Sequence, residues 1–164
     1  MPPDPAFDFI DLAPSLDAIR SKYGDRYYIS LDAMWEAAAL WGIARDSSLI
    51  NQAGVFTSAT VVLAVAAGGC TAEARLVQTP NGWCAMSTDY STRVSGGGYA
   101  PSVWSRSAFR NVDDARLAAV HELIGRLESE FRCASSCNTD ANRREIRSTI
   151  ALLEAQKRPQ LSLF

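Results

Sequence analysis

Apolar residues recur at helical spacing in several stretches of the chain. Leu12, Leu16, Ile19 and Tyr23 share one face if residues 13–23 are helical. Pro14 suits a first turn, and Gly24 suits the position just past a helix end. Ser30 reads as the N-cap of a second helix over 31–41, closed by Gly42. Its stripe of Leu31, Met34, Trp35, Ala38 and Trp41 has the spacing of a core face rather than of a peptide groove. Asn111, with Asp113 and Asp114 at the positive end of the helix dipole, starts a third helix over 111–131. Val120, Ile124, Leu127 and Phe131 form its buried stripe. A last helix over 139–156 carries Ile146, Ile150 and Leu153 on one side.

Between the helices the period changes. Residues 71–78 alternate, with Ala74 and Leu76 set against Glu73, Arg75 and Val77. Thr79-Pro80-Asn81-Gly82 is a turn, because proline presets φ and Asn-Gly supplies left-handed conformations. Residues 83–90 return as a second strand. Residues 92–100 make a loop centred on Gly96-Gly97-Gly98, and 102–109 a third strand with Val103 and Trp104 in alternation. The stretch 55–67 is two-sided. Its Val and Thr content favours a strand, whereas Val55, Ala59, Val62 and Ala66 fit a helix ended by Gly68-Gly69, and helix is the expectation here. The tyrosine-rich link 25–29 reads as extended, and Asp46 or Ser47 as the cap of a short helical turn.

The expected fold is therefore α+β. A small antiparallel three-stranded sheet packs with helices, a helical part precedes it and two helices follow. Residues 1–12 form an irregular arm, pinned through Phe7, Phe9 and Ile10. Residues 13–157 form a single domain, and 158–164 an exposed tail.

Composition adds little to the fold and more to the partners. The 164 residues are 48% apolar and 21% charged, as in an ordinary globular domain. A net charge of −2 excludes a bulk basic nucleic-acid binder. The charge is asymmetric: residues 1–92 carry −5 and 93–164 carry +3, which favours an anionic partner for the second half. Met1-Pro2-Pro3-Asp4-Pro5 lacks the basic and apolar regions of a secretory signal, and no apolar run can span a bilayer. A cytoplasmic protein with reduced thiols and no membrane partner is expected.

Candidate chemistry is sparse. Cys133-x3-Cys137 with Cys70 and Cys84 could make a zinc site, yet no CxxC pair is present and Cys84 falls in an expected strand, so four small reduced hydrophobes account for them better. His121 lies beside a core stripe with no partner singled out by the sequence, and helix capping accounts for Asp113 and Asp114. The triple glycine lacks the Lys-Ser/Thr of a phosphate loop. No catalytic residue, metal or cofactor is assigned. Arg143, Arg144, Arg147, Lys157 and Arg158 form the densest basic cluster, a candidate DNA contact against the alternative of a solvated helix face diluted by Glu145 and Glu154.

The chain closes on Gln160-Leu161-Ser162-Leu163-Phe164, after Lys157-Arg158-Pro159. These five residues resemble the bacterial sliding-clamp-binding peptide, usually written Q-L-[S/D]-L-F. DNA polymerases, mismatch-repair proteins and other replication factors use it to dock on the clamp ring. Uniform residue usage gives such a match at a fixed site on the order of once in a million chains. Leu161, Leu163 and Phe164 supply apolar anchors worth roughly 1.5–3 kcal/mol each before ordering costs, which points to micromolar affinity. Gln160 can hydrogen-bond at a pocket edge, and Ser162 tolerates solvent. The resemblance implies that Leu163 and Phe164 fill the deep clamp pocket and Gln160 the second subsite. Pro159 and the polar 156–158 favour a projecting tail over one folded back on the core.

The body of the chain shows no family signature, although its β-β-β-α order loosely resembles small antitoxin-like or RNA-binding-like modules. The function expected is a non-enzymatic accessory protein, of bacterial, phage or plasmid origin, docked on the sliding clamp. It would tether or block there while the domain meets a second, unidentified partner. A DNA-acting enzyme carried by the same tail is the rival expectation, and a regulatory antitoxin-like module with an accidental tail match is the third.

Overall fold

The computed structural model describes residues 8–157. Their order is β1 (Phe9–Asp11), α1 (Ala13–Tyr23), α2 (Leu31–Leu40), β2 (Thr60–Ala67), β3 (Cys70–Gln78), β4 (Cys84–Ser91), β5 (Gly96–Gly98), β6 (Ser107–Phe109), α3 (Val112–Arg132) and α4 (Asp140–Gln156). The class is α+β. The sheet has six antiparallel strands rather than three, in the order β1-β6-β4-β3-β2 with β5 also beside β4.

The β3–β4 hairpin is its centre. The two strands pair without interruption from Thr71↔Ser91 to Gln78↔Cys84. The turn expected at Pro80-Asn81-Gly82 closes them: Thr79 N donates to Trp83 O at 2.8 Å, and Gly82 N to Thr79 O at 2.9 Å. Asn81 Oδ1 accepts from Thr79 Oγ1 at 2.7 Å and from Trp83 N at 3.2 Å. Its Nδ2 donates to Leu40 O at 3.1 Å, so the turn also satisfies a carbonyl at the end of α2. Gly42 lies directly against Asn81 at φ 73°, a conformation and a spacing that a side chain there would disturb.

The alternation of β3 sorts its side chains between two layers. Cys70, Ala72, Ala74 and Leu76 are buried, on the side covered by α3 and α4. There Val120, Leu123, Ile124 and Leu127 of α3 meet Leu63 of β2 and Ile146 and Leu153 of α4. Thr71 and Arg75 are exposed on the opposite face, Glu73 is half-buried, and Val77 is buried with Ala85 beneath the N-terminal helices. That N-terminal layer is organised by Trp41. Its ring is fully buried, its Nε1 donates to Val103 O at 3.1 Å, and it meets Phe56 and Trp83 edge-on. Two helix starts follow the expected caps, with Ser30 Oγ accepting from Ala33 N and Asn111 Oδ1 from Asp114 N; at the last helix Thr139 Oγ1 accepts from Asn142 N in the same way.

Several expectations are corrected. Residues 60–67 are a strand, not a helix, because Leu63 to Ala67 pair in continuous register with Ala74 to Cys70. Gly68-Gly69 is accordingly a hairpin turn, with φ 59° at Gly68. Gly96–Gly98 is a strand, since it supplies partners to Asp89, Tyr90 and Ser91 on the edge of β4. The third strand is confined to Ser107–Phe109; Val103 is buried in the N-terminal core and Trp104 packs beside Tyr27. Within the expected irregular arm, Phe9–Asp11 pairs with β6. The link at 27–29 is a 3₁₀ turn, not extended. No helix forms at Asp46, where φ is 65°. Leu31 is 57% exposed, so only Met34, Ala38 and Trp41 of the α2 stripe are deeply buried and Trp35 is half-buried.

Trp41→Ala should destabilise the domain by about 3–5 kcal/mol in urea unfolding, with Trp41→Phe losing clearly less, because both variants leave the Val103 carbonyl unpaired but the first also opens the larger cavity.

Candidate docking surface

α4 carries Arg143, Arg144 and Arg147, three of the five expected basic contact residues. It is antiparallel to α3 and bound to it at its middle and at its end. Midway along it, the Arg147 guanidinium lies 5.0 Å from the Phe131 ring centroid. At its end, Arg116 of α3 donates from Nη2 to Gln156 Oε1 at 2.6 Å and from Nη1 to Gln156 O at 3.3 Å. The second bond satisfies a terminal carbonyl and places a cation at the negative end of the helix dipole. Lys157 follows, 3.0 Å from Glu154. Pro159 and the pentapeptide 160–164 lie outside the described residues, as does Arg158.

The basic residues form a stripe rather than a patch. Arg143 and Lys157 are fourteen positions apart, about 21 Å along a helix axis. Arg143 is 3.7 Å from Asp140, whereas Arg144 is exposed and close enough to Glu145 to be felt electrostatically. Glu145 does not dilute the stripe as the sequence suggested. It turns to the sheet, accepting from Arg93 Nε at 2.8 Å and Nη2 at 2.7 Å and from Gly69 N at 3.0 Å. The Arg93 guanidinium, followed by the Gly69 amide, holds its carboxyl below the ordinary range against the opposing effect of burial. Gly68 lies against this carboxylate, where a Cβ would collide.

A second polar cluster was not legible in the sequence. Glu122 of α3 accepts from Thr88 Oγ1 at 2.6 Å, Tyr99 OH at 3.0 Å and Arg126 Nε at 3.1 Å. Two turns further, Glu130 accepts from Tyr90 OH at 2.9 Å and Ser95 Oγ at 2.6 Å. Burial, then the Glu122 carboxylate, pushes the Tyr99 hydroxyl up, although the residue as a whole is 41% exposed; burial and Glu130 push Tyr90 up likewise. With the carboxylates about 12 Å apart along the helix and each taken up by donors, the arrangement fastens the 92–99 loop and β5 to α3. It is not the geometry of an acid–base pair.

The remaining candidates are placed as follows. Cys70 and Cys84 are buried, and burial raises both thiols, while Cys133 and Cys137 are exposed in the loop after α3. No group of three or more His, Cys, Asp or Glu able to hold a metal occurs among the described residues. His121 is half-buried on α3, and Asp113 and Asp114 occupy the first turn of that helix. No described helix is long and apolar enough to cross a membrane. On the open face of the sheet, a shallow cavity of about 280 Å³ is lined by Arg75, Ser87, Asp89, Gly98, Tyr99 and Ala100. Tyr28, Ile29 and Leu31 are each more than half exposed beside the start of α2, a patch that the helical stripe had concealed by counting Leu31 as core.

No protein-family model, no curated protein and no solved structure matches this chain.

The Arg93–Glu145 pair gives a pH prediction. The folded-state carboxyl titrates below its unfolded value near 4.5, so its contribution is complete above that pH and is lost as pH falls through the lower folded value. Glu145→Gln should therefore flatten the acid limb of a stability–pH profile measured by thermal unfolding, and the difference from wild type should shrink in high salt.

Proposed function

We propose that this protein is a non-enzymatic accessory factor that docks through residues 160–164 on the bacterial DNA polymerase sliding clamp, tethering an activity there or blocking the pocket. The pentapeptide Gln160-Leu161-Ser162-Leu163-Phe164 carries the reading, since it has both the residue order of clamp-binding peptides and the apolar anchors that such docking needs. The architecture next to it supports this. α4 stops at Gln156, with its terminal carbonyl held by Arg116, shortly before a proline that cannot donate to a helix. Arg143, Arg144, Arg147, Lys157 and Arg158 precede the pentapeptide and supply a subsidiary electrostatic contact to DNA at the clamp.

Purified full-length chain should bind sliding clamp with micromolar Kd in calorimetry or anisotropy titrations. Leu163→Ala with Phe164→Ala should weaken binding by roughly tenfold or more, as should deletion of 160–164. Absence of binding at tens of micromolar would remove the reading. Clamp-dependent DNA synthesis then separates the two roles, because a blocker inhibits it in proportion to clamp occupancy and a tether does not. Arg144→Glu with Arg147→Glu should leave clamp affinity unchanged while reducing the salt-sensitive part of binding to DNA-loaded clamp.

A further inference from the structure

One edge of the sheet is β2, and its chemistry is unusual for an edge. Its eight residues, Thr-Val-Val-Leu-Ala-Val-Ala-Ala, include no charge and no proline. Edge strands are ordinarily protected by lysine, proline, inward charge or cover. One irregularity lies between Val61 and Leu63, but from Leu63 to Ala67 the register with β3 is continuous. Every second residue there turns its amide and carbonyl outward, and no described backbone group pairs with them.

α4 shows a matching flank. Thr149 reaches Cys70 O and Glu145 reaches Gly69 N, which marks the side of the helix over the sheet. Arg147 and Ile150 lie against Phe131 and the α3 core, which marks the side toward α3. Ser148 and Leu152, at i and i+4, lie on the side away from α3, beside this edge, while Ala151 and Ala155 turn further toward solvent on a face they share with Arg144. Ser148, Ala151, Leu152 and Ala155 are all exposed and uncharged, and Leu152 is 43% exposed.

We propose that β2 and this flank of α4 bind a second copy of the chain about a two-fold axis, with β2 antiparallel to its mate and α4 packed on its mate. Several features favour self-pairing over capture of an unrelated peptide. A two-fold axis sets each strand against its own reverse, where like charges would meet; β2 has none. The small outward residues Ala64 and Ala66 offer no side-chain pockets of the kind that give strand-adding domains their specificity. The helix spacing also closes. α4 packs over both β2 and β3, and strands about 4.8 Å apart put a helix centred between them about 10 Å from its mate, the ordinary distance for packed helices. Thr149 sits at the level of Cys70, which pairs with Ala67, and the helix runs away from the hairpin tip; Leu152 therefore falls close to the axis. The assignment is independent of the role of the tail.

Sedimentation equilibrium on the full chain should give a reversible, concentration-dependent species of about twice 17.8 kDa. Ala64→Lys and Leu152→Glu, both at exposed positions, should each weaken association by roughly tenfold or more without changing the circular dichroism spectrum. Mixing Leu152→Lys chains with Leu152→Glu chains should restore the dimer. A wild-type chain that stays at monomer mass to hundreds of micromolar overturns the proposal, as does a dimer insensitive to both substitutions or association without fixed stoichiometry.

Discussion

The uninterrupted ladder between β3 and β4 is the constraint on which the other elements depend. It holds eight residue pairs in one register, and that register decides which side chains meet α3 and α4 and which meet the N-terminal helices. A slip of one residue would carry Ala72, Ala74 and Leu76 to the open face and Glu73 and Arg75 into the helical core. The Pro80-Asn81-Gly82 turn prevents this, and through Asn81 it also joins the end of α2 to the sheet. One short turn thus sets the strand register and the docking of the N-terminal layer together.

Around that ladder the two halves of the chain use different physics. The N-terminal layer covers only the Val77 and Ala85 end of one face, by aromatic packing around Trp41. The C-terminal helices cover the whole of the other face with aliphatic side chains, then fasten the β4–β5 region with carboxylates: Glu122 and Glu130 from α3, Glu145 from α4. Glu145, expected on a solvated helix face, is thus turned inward. This leaves α4 with a buried face and an exposed one, on which Arg143, Arg144 and Arg147 give way to the uncharged Ser148, Ala151, Leu152 and Ala155. It is the element that links the body to the tail, and its outer flank continues the exposed edge of the sheet.

Legibility followed the length scale of the forces. Helices with an identifiable cap were read nearly to the residue, since Ser30 and Asn111 act through bonds three residues away. The Asn-Gly turn was readable for the same reason. The three-residue strands were not: β1 and β5 were missed and β6 was read too long, because strands this short show no period and exist only where β4 or β6 offers free backbone groups. β2 failed differently. A run of Val, Leu and Ala satisfies either period, and only its pairing with β3 decides between them.

The sequence by itself determined the helices, the central hairpin, the α+β class and the clamp-like pentapeptide, because these rest on local hydrogen bonds, periodicity and a contiguous motif. The tertiary structure alone decided that 60–67 is a strand at an open edge, that Leu31 faces solvent, and that Glu145 leaves the basic stripe for Arg93. Each of these depends on a partner distant in sequence: Leu63 on Ala74, Glu145 on Arg93 fifty-two residues earlier. Local propensity carries no record of such partners, and burial becomes defined only when the layers close.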